Sequence, residues 1–222
     1  MDYYEQARKD IVDVVRKMYE TKLVNAYEGN VSIRVEDRIF ITPGSVNKGV
    51  VTEDMILEVD IDGDLLVPSE YKPSSESKLH YAIYKKRPGV KAVVHNHSIF
   101  ATSYAVARIP IDTKSVPEMV VLFGTIPVFS YGTPGTPEVY MDLDKYSDET
   151  DVFLLANHGL VAVADDAWSA YEKAAAVEKT AQILIMSNMI GGEHKIEDEK
   201  LEELYVMRRT MLNNRNVRGF IV

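Results

Sequence analysis

The sequence contains no cysteine in its 222 residues. Disulfide bonds are therefore excluded, and a metal site would have to use histidine and carboxylate side chains instead of thiolates. No apolar run reaches the ~18 residues of a membrane-spanning helix, so no membrane partner is expected. The first residues are charged and contain no apolar segment, so no signal peptide is expected and the protein is predicted to be cytoplasmic.

Further absences exclude other classes of protein. No basic stretch is present and the formal net charge is −9, so nucleic acid is not an expected partner. Neither a Gly-x-Ser-x-Gly sequence nor a cysteine nucleophile is present, so a metal-free hydrolase has no support. No repeat or low-complexity linker divides the chain, and its length fits a single domain over residues 1–222.

Apolar residues spaced three and four apart predict helices, and short apolar or alternating runs predict strands. The predicted helices span about Tyr3–Glu20, Pro73–Lys86, Ala167–Met189 (with Asp165 as N-cap) and Glu197–Leu212. The predicted strands span about Val31–Arg34, Arg38–Ile41, Ile56–Ile61, Val90–His97, Val152–Ala156 and Gly159–Ala164, with two short pieces in Val116–Val128 and a loop over Tyr131–Pro137. This irregular alternation indicates an α/β protein with a mixed sheet and helices on its faces.

Three histidines are candidate metal ligands. His95 and His97 lie two apart in a predicted strand, so their rings point to the same side and can converge on one ion. His158 follows another strand, and strand ends are where sheet proteins often place working groups. Three protein ligands would leave one position open for a substrate, as in catalytic zinc sites. A His-x-His pair is also typical of strand histidines that only form hydrogen bonds, and His194 is predicted to be solvated.

One carboxylate and one further histidine lie in the helix predicted to begin at Pro73-Ser74-Ser75. Glu76 would occupy the first turn, where the helix dipole and free backbone N–H groups favour the ionised form. A structural role at the helix start is enough to explain this glutamate. Beside a metal-bound substrate, however, Glu76 could act as base toward a C–H proton next to a carbonyl. His80 is predicted to be either a core histidine or a partner of the metal ligands.

Several turns offer backbone N–H groups to a phosphate. Ser74 and Ser75 stand at a predicted helix start, which favours anions. Gly29-Asn30 and Pro43-Gly44-Ser45 offer further turn N–H groups. Glycine and serine are ordinary turn residues, so none of these segments is specific by itself. Lys48 could add positive charge, but it is predicted to be a solvated surface residue.

Taken together, these residues resemble class II aldolases of the fuculose-phosphate aldolase and ribulose-phosphate epimerase type, a superfamily that includes the adducin head domain. The resemblance covers nearly the whole chain, and the matching blocks follow the order and spacing of the family. The blocks are Gly29-Asn30-Val31-Ser32, Ile41-Thr42-Pro43, Pro73-Ser74-Ser75-Glu76, Val94-His95-Asn96-His97 and Asn157-His158-Gly159. Each block is weak alone, but the combination is highly specific.

The resemblance implies a three-layer α/β/α fold with a mixed, mostly antiparallel central sheet. It implies a zinc ion, or another divalent cation, held by His95, His97 and His158, and a homotetramer with active sites at subunit boundaries. In the family, the residue in the position of Glu76 binds the resting metal ion and then acts as acid and base. The residues implied to bind the substrate phosphate are Gly29, Asn30, Gly44, Ser45, Ser74 and Ser75.

The activity implied by the resemblance is zinc-dependent, reversible cleavage of a ketose 1-phosphate similar to L-fuculose 1-phosphate. The products would be dihydroxyacetone phosphate and an aldehyde, formed through a metal-stabilised enediolate. Related epimerases have aspartate in the position of Glu76, which favours the aldolase. A sugar-phosphate epimerase, dehydratase or decarboxylase on the same scaffold stays open, because all of them use the metal to stabilise an enolate. A non-catalytic adducin-like module also stays open, although it would not need the intact ligand set.

Two features depart from the family pattern. The family's phosphate loop reads Pro, then Ser or Thr, then Gly, whereas here Gly44 precedes Ser45. The fuculose-phosphate enzymes use a tyrosine of a neighbouring subunit as proton donor, but no tyrosine occurs between Ile109 and Ile126, where Glu118 falls near the expected place. The sequence therefore does not assign the proton donor, the aldehyde or the stereochemistry of the new bond.

Overall fold

The computed structural model describes residues 2–146 and 150–214. The α-helices are α1 (Tyr3–Glu20), α2 (Ser77–Lys86), α3 (Ile99–Ala107), α4 (Pro117–Leu122), α5 (Ala167–Met189) and α6 (Asp198–Asn214). The strands are β1 (Asn30–Val35), β2 (Arg38–Ile41), β3 (Leu57–Val59), β4 (Ala92–Asn96), β5 (Val128–Phe129), β6 (Val152–Leu155) and β7 (Gly159–Ala164). Short 3₁₀ helices span Lys48–Val50, Glu53–Met55 and Pro137–Asp144. The predicted domain over residues 1–222 includes positions outside the described ranges and stays a prediction.

The strands form one seven-stranded sheet in the order β3-β2-β1-β4-β7-β6-β5. Neighbouring strands are antiparallel throughout, except that β5 and β6 are parallel. Strand β4 occupies the middle of the sheet, and all five of its residues are buried. The prediction of a mixed, mostly antiparallel sheet is confirmed.

Helices cover both faces of this sheet, because side chains alternate along each strand. Val94 and Leu160 belong to the hydrophobic cluster on the face that packs against α1, α3 and α5. Val93 and Val161 belong to the cluster on the opposite face, together with apolar residues of α2 and of the 3₁₀ helix Pro137–Asp144. The sheet therefore separates two hydrophobic layers, which confirms the predicted three-layer α/β/α architecture.

Some elements differ from their predictions for local reasons. The sequence-based prediction omits α3, where exposed Ile99 and Val106 obscure the difference between the buried and the exposed face. The N-cap of α5 is Asp166 and not Asp165, because Asp166 accepts a hydrogen bond from the Ser169 N–H at 2.8 Å. Across residues 2–146 and 150–214, no helix combines the length and the apolar character needed to cross a bilayer.

Candidate metal centre

Strand β4 brings two histidines to the centre of the sheet. His95 lies opposite Asn30 of β1 and Val161 of β7, and it is fully buried. The strand ends at Asn96, so His97 lies one residue beyond the strand instead of inside it. The two rings nevertheless converge, since His97 Nε2 lies 3.0 Å from His95 Nε2.

A tight turn between β6 and β7 carries the third histidine. Asn157 adopts a left-handed backbone conformation with φ 59°, which asparagine tolerates better than most residues. The turn directs His158 toward β4, so that its ring centroid lies 4.8 Å from those of both other histidines. Gly159 permits this close approach, because a Cβ there would lie 2.4 Å from the Asn96 carbonyl oxygen and 2.8 Å from the His97 ring.

The carboxylate of Glu76 completes the cluster. Its Oε1 lies 2.5 Å from His158 Nε2, and its Oε2 lies 3.5 Å from His95 Nε2. One potential ligand atom from each of the four residues lies within 4.8 Å of the others. Glu76 is the N-cap residue of α2, which begins at Ser77, so the prediction that it lies in the first turn is wrong by one residue. Its side chain makes no capping hydrogen bond and is turned toward the imidazoles instead.

A hydrogen bond determines the tautomer of His95, and burial keeps the ring of His97 neutral. His95 Nδ1 lies 2.9 Å from the Leu160 carbonyl oxygen, which can only accept, so Nδ1 carries the proton and the lone pair of Nε2 faces inward. Burial lowers the pKa of His97 to about 3, and the neighbouring His95 and His158 add to this lowering. The His97 ring is therefore neutral at neutral pH.

Glu76 is ionised beside these rings. Burial alone would raise the pKa of its carboxyl group, but the interactions with His95 and His158 outweigh burial and hold the pKa well below its ordinary value. The cluster thus combines three imidazole donors with one anionic oxygen, which is a ligand set that Zn²⁺ prefers. The 3.0 Å between the His95 and His97 nitrogens is close to the ~3.3 Å expected between two ligands of one tetrahedral zinc ion. These residues therefore fit a divalent metal ion.

The two turns implied to bind phosphate lie side by side near this cluster. Pro43 and Pro73 form an isolated antiparallel bridge, and a Cβ on Gly44 would lie 3.0 Å from Ser74 Cα. The Ser74 hydroxyl accepts a hydrogen bond from the Glu76 N–H at 3.3 Å. The prediction of a serine at the helix cap is wrong, because Ser74 stabilises the turn that precedes the helix and Glu76 takes the cap position.

The donors that these segments offer differ in availability. The Gly44 N–H already donates to the Lys72 carbonyl oxygen at 2.9 Å, so a phosphate would have to compete for it. Ser45 and Ser75 are exposed and accessible to a ligand. Gly29 has a φ of +70°, and a Cβ there would lie 2.7 Å from the backbone of β4, so only glycine fits without strain.

Lys48 does not lie where the sequence predicts it. Its exposure is only 2%, so the prediction of a solvated surface residue is wrong. The ammonium donates to the Val46 carbonyl oxygen at 3.0 Å, and no ion pair joins it to a carboxylate within residues 2–146 and 150–214. Burial lowers its pKa, while the charge of Glu76 opposes that lowering. Lys48 is thus a buried cation beside the turn at Gly44-Ser45. The hydrophilic character of lysine and its neighbours in the sequence does not predict this burial.

Comparison with known proteins identifies the class to which this site belongs. The family model described as "Class II Aldolase and Adducin N-terminal domain" matches residues 9–185. The chain therefore belongs to the class II aldolase and adducin family, whose aldolases are metal-dependent. Within that family it is most like the fuculose-phosphate aldolases.

Individual relatives include more than one activity. An L-fuculose phosphate aldolase of Methanocaldococcus jannaschii is 31% identical over 183 residues, covering 82% of this chain and 98% of the relative. A 3-oxo-tetronate 4-phosphate decarboxylase of Haemophilus influenzae is 32% identical over 183 residues, covering 80% and 86%. A solved structure of an L-fuculose 1-phosphate aldolase superposes with a TM-score of 0.83 at 28% identity, covering 93% and 96%. Family membership supports an enzyme that acts on a sugar phosphate.

Proposed function

We propose that this protein is a divalent-metal-dependent aldolase that reversibly cleaves a ketose 1-phosphate, with L-fuculose 1-phosphate as the first candidate, into dihydroxyacetone phosphate and an aldehyde. The observation that carries the proposal is the cluster of one ionised carboxylate, Glu76, with three convergent imidazoles, whose ligand atoms lie within 4.8 Å of one another. Glu76 is in direct contact with two of these rings, those of His158 and His95. A base beside a Lewis-acid site is what removal of a C–H proton next to a carbonyl requires. The fuculose-phosphate relatives support the choice of substrate class.

His95, His97 and His158 would hold the metal ion, with Glu76 as the fourth ligand before substrate binds. When bound, the ion supplies Lewis acidity to the substrate's carbonyl oxygen and so acidifies the adjacent C–H group. The three rings are neutral ligands, so they leave the positive charge of the ion undiminished. Zinc fits this set best, although imidazole ligands also accept other divalent ions.

Glu76 acts as the base in the condensation direction. It takes a proton from the hydroxymethyl carbon of dihydroxyacetone phosphate. The electron pair left on that carbon forms the new bond to the aldehyde carbon, and the aldehyde oxygen takes up a proton to become a hydroxyl. Asn30 Nδ2 donates to Glu76 Oε2 at 3.0 Å, so the carboxylate keeps one partner after it leaves the imidazoles. Cleavage runs through the same steps in reverse.

The phosphate of the substrate would lie against the two adjacent turns. Ser45, Ser74 and Ser75 would supply uncharged donors there, and Gly44 shapes the turn. Gly29 and Asn30, at the start of β1, would supply further donors. Lys48 supplies the positive charge, because its ammonium is buried next to Val46 and within the electrostatic reach of Glu76. A buried cation that is not paired with a carboxylate is unfavourable in the free protein and is stabilised when an anion binds beside it.

The Lys48→Met protein is expected to bind phosphorylated substrate about 10- to 100-fold more weakly, because hydrogen bonds to charged groups contribute about 1.5–3 kcal/mol. Its melting temperature should hold or rise, since Met fills a similar volume without a buried charge. Steady-state kinetics would measure KM, and calorimetry would measure stability. Lys179→Met, at an exposed position of α5, is the matched control and should leave both quantities unchanged. An unaltered KM in Lys48→Met would exclude Lys48 from phosphate binding.

A product assay tests the proposed function directly. The purified protein is stripped of metal, reloaded with Zn²⁺ and incubated with L-fuculose 1-phosphate and its ketose 1-phosphate stereoisomers. Dihydroxyacetone phosphate is detected by its enzymatic reduction with NADH. We expect it to form only with the reloaded protein. No release from any member of the panel would refute the aldolase proposal.

The second candidate is a sugar-phosphate decarboxylase, which the Haemophilus influenzae relative favours at 32% identity. Both reactions generate negative charge on carbon next to a carbonyl, so the same cluster would serve either of them. Release of CO₂ from 3-oxo-tetronate 4-phosphate, without dihydroxyacetone phosphate from the ketose panel, would select the decarboxylase. The homotetramer and the cytoplasmic location stay predictions from the sequence.

A further inference from the structure

A chain of buried polar side chains leads from Glu76 into the protein interior. Asn30 Nδ2 donates to Glu76 Oε2 at 3.0 Å, and Asn30 Oδ1 lies 2.5 Å from His80 Nε2. His80 Nδ1 lies 2.7 Å from the Ser32 hydroxyl, which in turn lies 2.7 Å from the Tyr84 hydroxyl. The four residues beyond Glu76 are at most 2% exposed, so water does not replace these contacts.

Two elements align this chain by simple periodicity. Asn30 and Ser32 lie two apart on β1, so their side chains point to the same face of the sheet. His80 and Tyr84 lie four apart on α2, and Glu76 lies four residues before His80, so these three occupy one face of the helix. The strand and the helix therefore interleave their polar side chains in the order 76, 30, 80, 32, 84.

The charge on Glu76 fixes the direction of every hydrogen bond in the chain. An ionised carboxylate only accepts, so the Asn30 amide must turn its nitrogen toward Glu76 and its oxygen toward His80. The oxygen only accepts, so His80 must donate from Nε2, and a neutral ring then accepts at Nδ1. The Ser32 hydroxyl must then donate to Nδ1, which leaves its oxygen to accept from Tyr84.

We propose that His80 is a positioning residue for the reaction at Glu76, because its neutral Nε2–H tautomer fixes the Asn30 amide with both N–H groups toward the site. One N–H holds Glu76 Oε2, and the second can be offered to a substrate oxygen. A flipped amide would place an oxygen against the carboxylate and would remove both donors at once. The catalytic consequence rests on the proposed function, but the orientation of the amide does not.

Burial also keeps the ring in the required state. It lowers the pKa of His80 to about 3, and His95 adds to this lowering, while Glu76 opposes it. An imidazolium would donate at both nitrogens and would force Ser32 to reverse its hydrogen bond. The alternative role of His80, as a residue that only fills space, predicts no dependence on its hydrogen-bonding groups.

Metal-free protein labelled uniformly with ¹⁵N tests the orientation without any assay of activity. The ring signal that disappears in His80→Gln is expected to be an Nε2–H tautomer that does not titrate between about pH 5 and 9, outside the range of an ordinary histidine. Glutamine can donate and accept at similar positions, so the Asn30 side-chain amide signals should stay near those of the wild type in His80→Gln and shift in His80→Leu. An Nδ1–H tautomer, an imidazolium in that range, or an unshifted Asn30 amide in His80→Leu would overturn the proposal.

Turnover tests the catalytic consequence. His80→Leu, with full metal content, is expected to lose about 10- to 100-fold in kcat, the range for partners that orient active groups at metal sites, and His80→Gln should recover most of it. Ser32→Ala removes the donor to Nδ1 without removing the ring, and it should also lower kcat. This variant provides the test in case His80→Leu does not fold. Wild-type kcat in either Leu or Ala variant would refute the positioning role. A wild type without turnover would refute the proposed function instead, and the amide signals would still decide the orientation.

Discussion

Glu76→Gln is expected to retain its divalent metal ion and to lose turnover by about 10²- to 10⁴-fold, the usual contribution of a general base. Glutamine has nearly the same shape and can still accept from Asn30, but its amide oxygen cannot take a proton from carbon. Metal content measured by mass spectrometry and kcat measured with the productive ketose 1-phosphate would be compared in the same preparation. The change therefore separates the chemical step from assembly of the site.

Glu172→Gln is the matched control, because Glu172 is exposed on α5 and takes no part in the cluster. This variant should have wild-type metal content and wild-type turnover. A Glu76→Gln protein that holds its metal ion and turns over at the wild-type rate would remove Glu76 from the role of base.

His158→Ala is expected to weaken metal binding by well over ~100-fold, because even partners that only orient a ligand contribute about 10- to 100-fold to metal affinity. Turnover at a metal concentration that saturates the wild type should be lost with it. A metal ion that binds only the folded protein at 100 times its Kd stabilises the fold by about 2.7 kcal/mol. Thermal unfolding with and without Zn²⁺ should therefore show a metal-dependent rise for the wild type and a much smaller one for His158→Ala.

His194→Ala is the matched control for the loss of an imidazole, since His194 is exposed and does not belong to the cluster. It should bind Zn²⁺ and respond to it as the wild type does. Equal metal affinity in His158→Ala and the wild type would contradict the assignment of His158 as a ligand. Wild-type protein from which a chelator has removed the metal ion should remain folded but lack turnover.

Both predictions depend on four residues from three separate parts of the chain. Glu76 precedes α2, His95 lies in β4 with His97 just beyond its end, and His158 lies in the turn between β6 and β7. The sequence identifies these residues because their types are suited to a metal ion and their blocks match a family. It does not supply the 2.5 Å contact between Glu76 and His158, since residues so far apart meet only when α2 packs against the assembled sheet.

The sequence alone determined the features that depend on local periodicity and residue type. The bounds of α1, β2 and β7 agree with their predictions. The amphipathic pattern of α1 and the apolar runs of the two strands each lie within their own segment. The absence of cysteine likewise restricts the metal ligands to histidine and carboxylate, whatever the fold. The family resemblance added the three layers and the mostly antiparallel pairing, whereas the order of the strands came only from the structure.

Only the tertiary structure decided which polar groups are buried and what they contact. Lys48 has a side chain typical of the surface, yet packing of the 3₁₀ helix Lys48–Val50 against α1 encloses it. Asn30 and His80 are 50 residues apart and bond only because β1 and α2 are adjacent. Burial and long-range hydrogen bonds are properties of the packed layers, whereas periodicity is a property of each segment. For that physical reason the sequence yields the periodic elements but not the buried contacts.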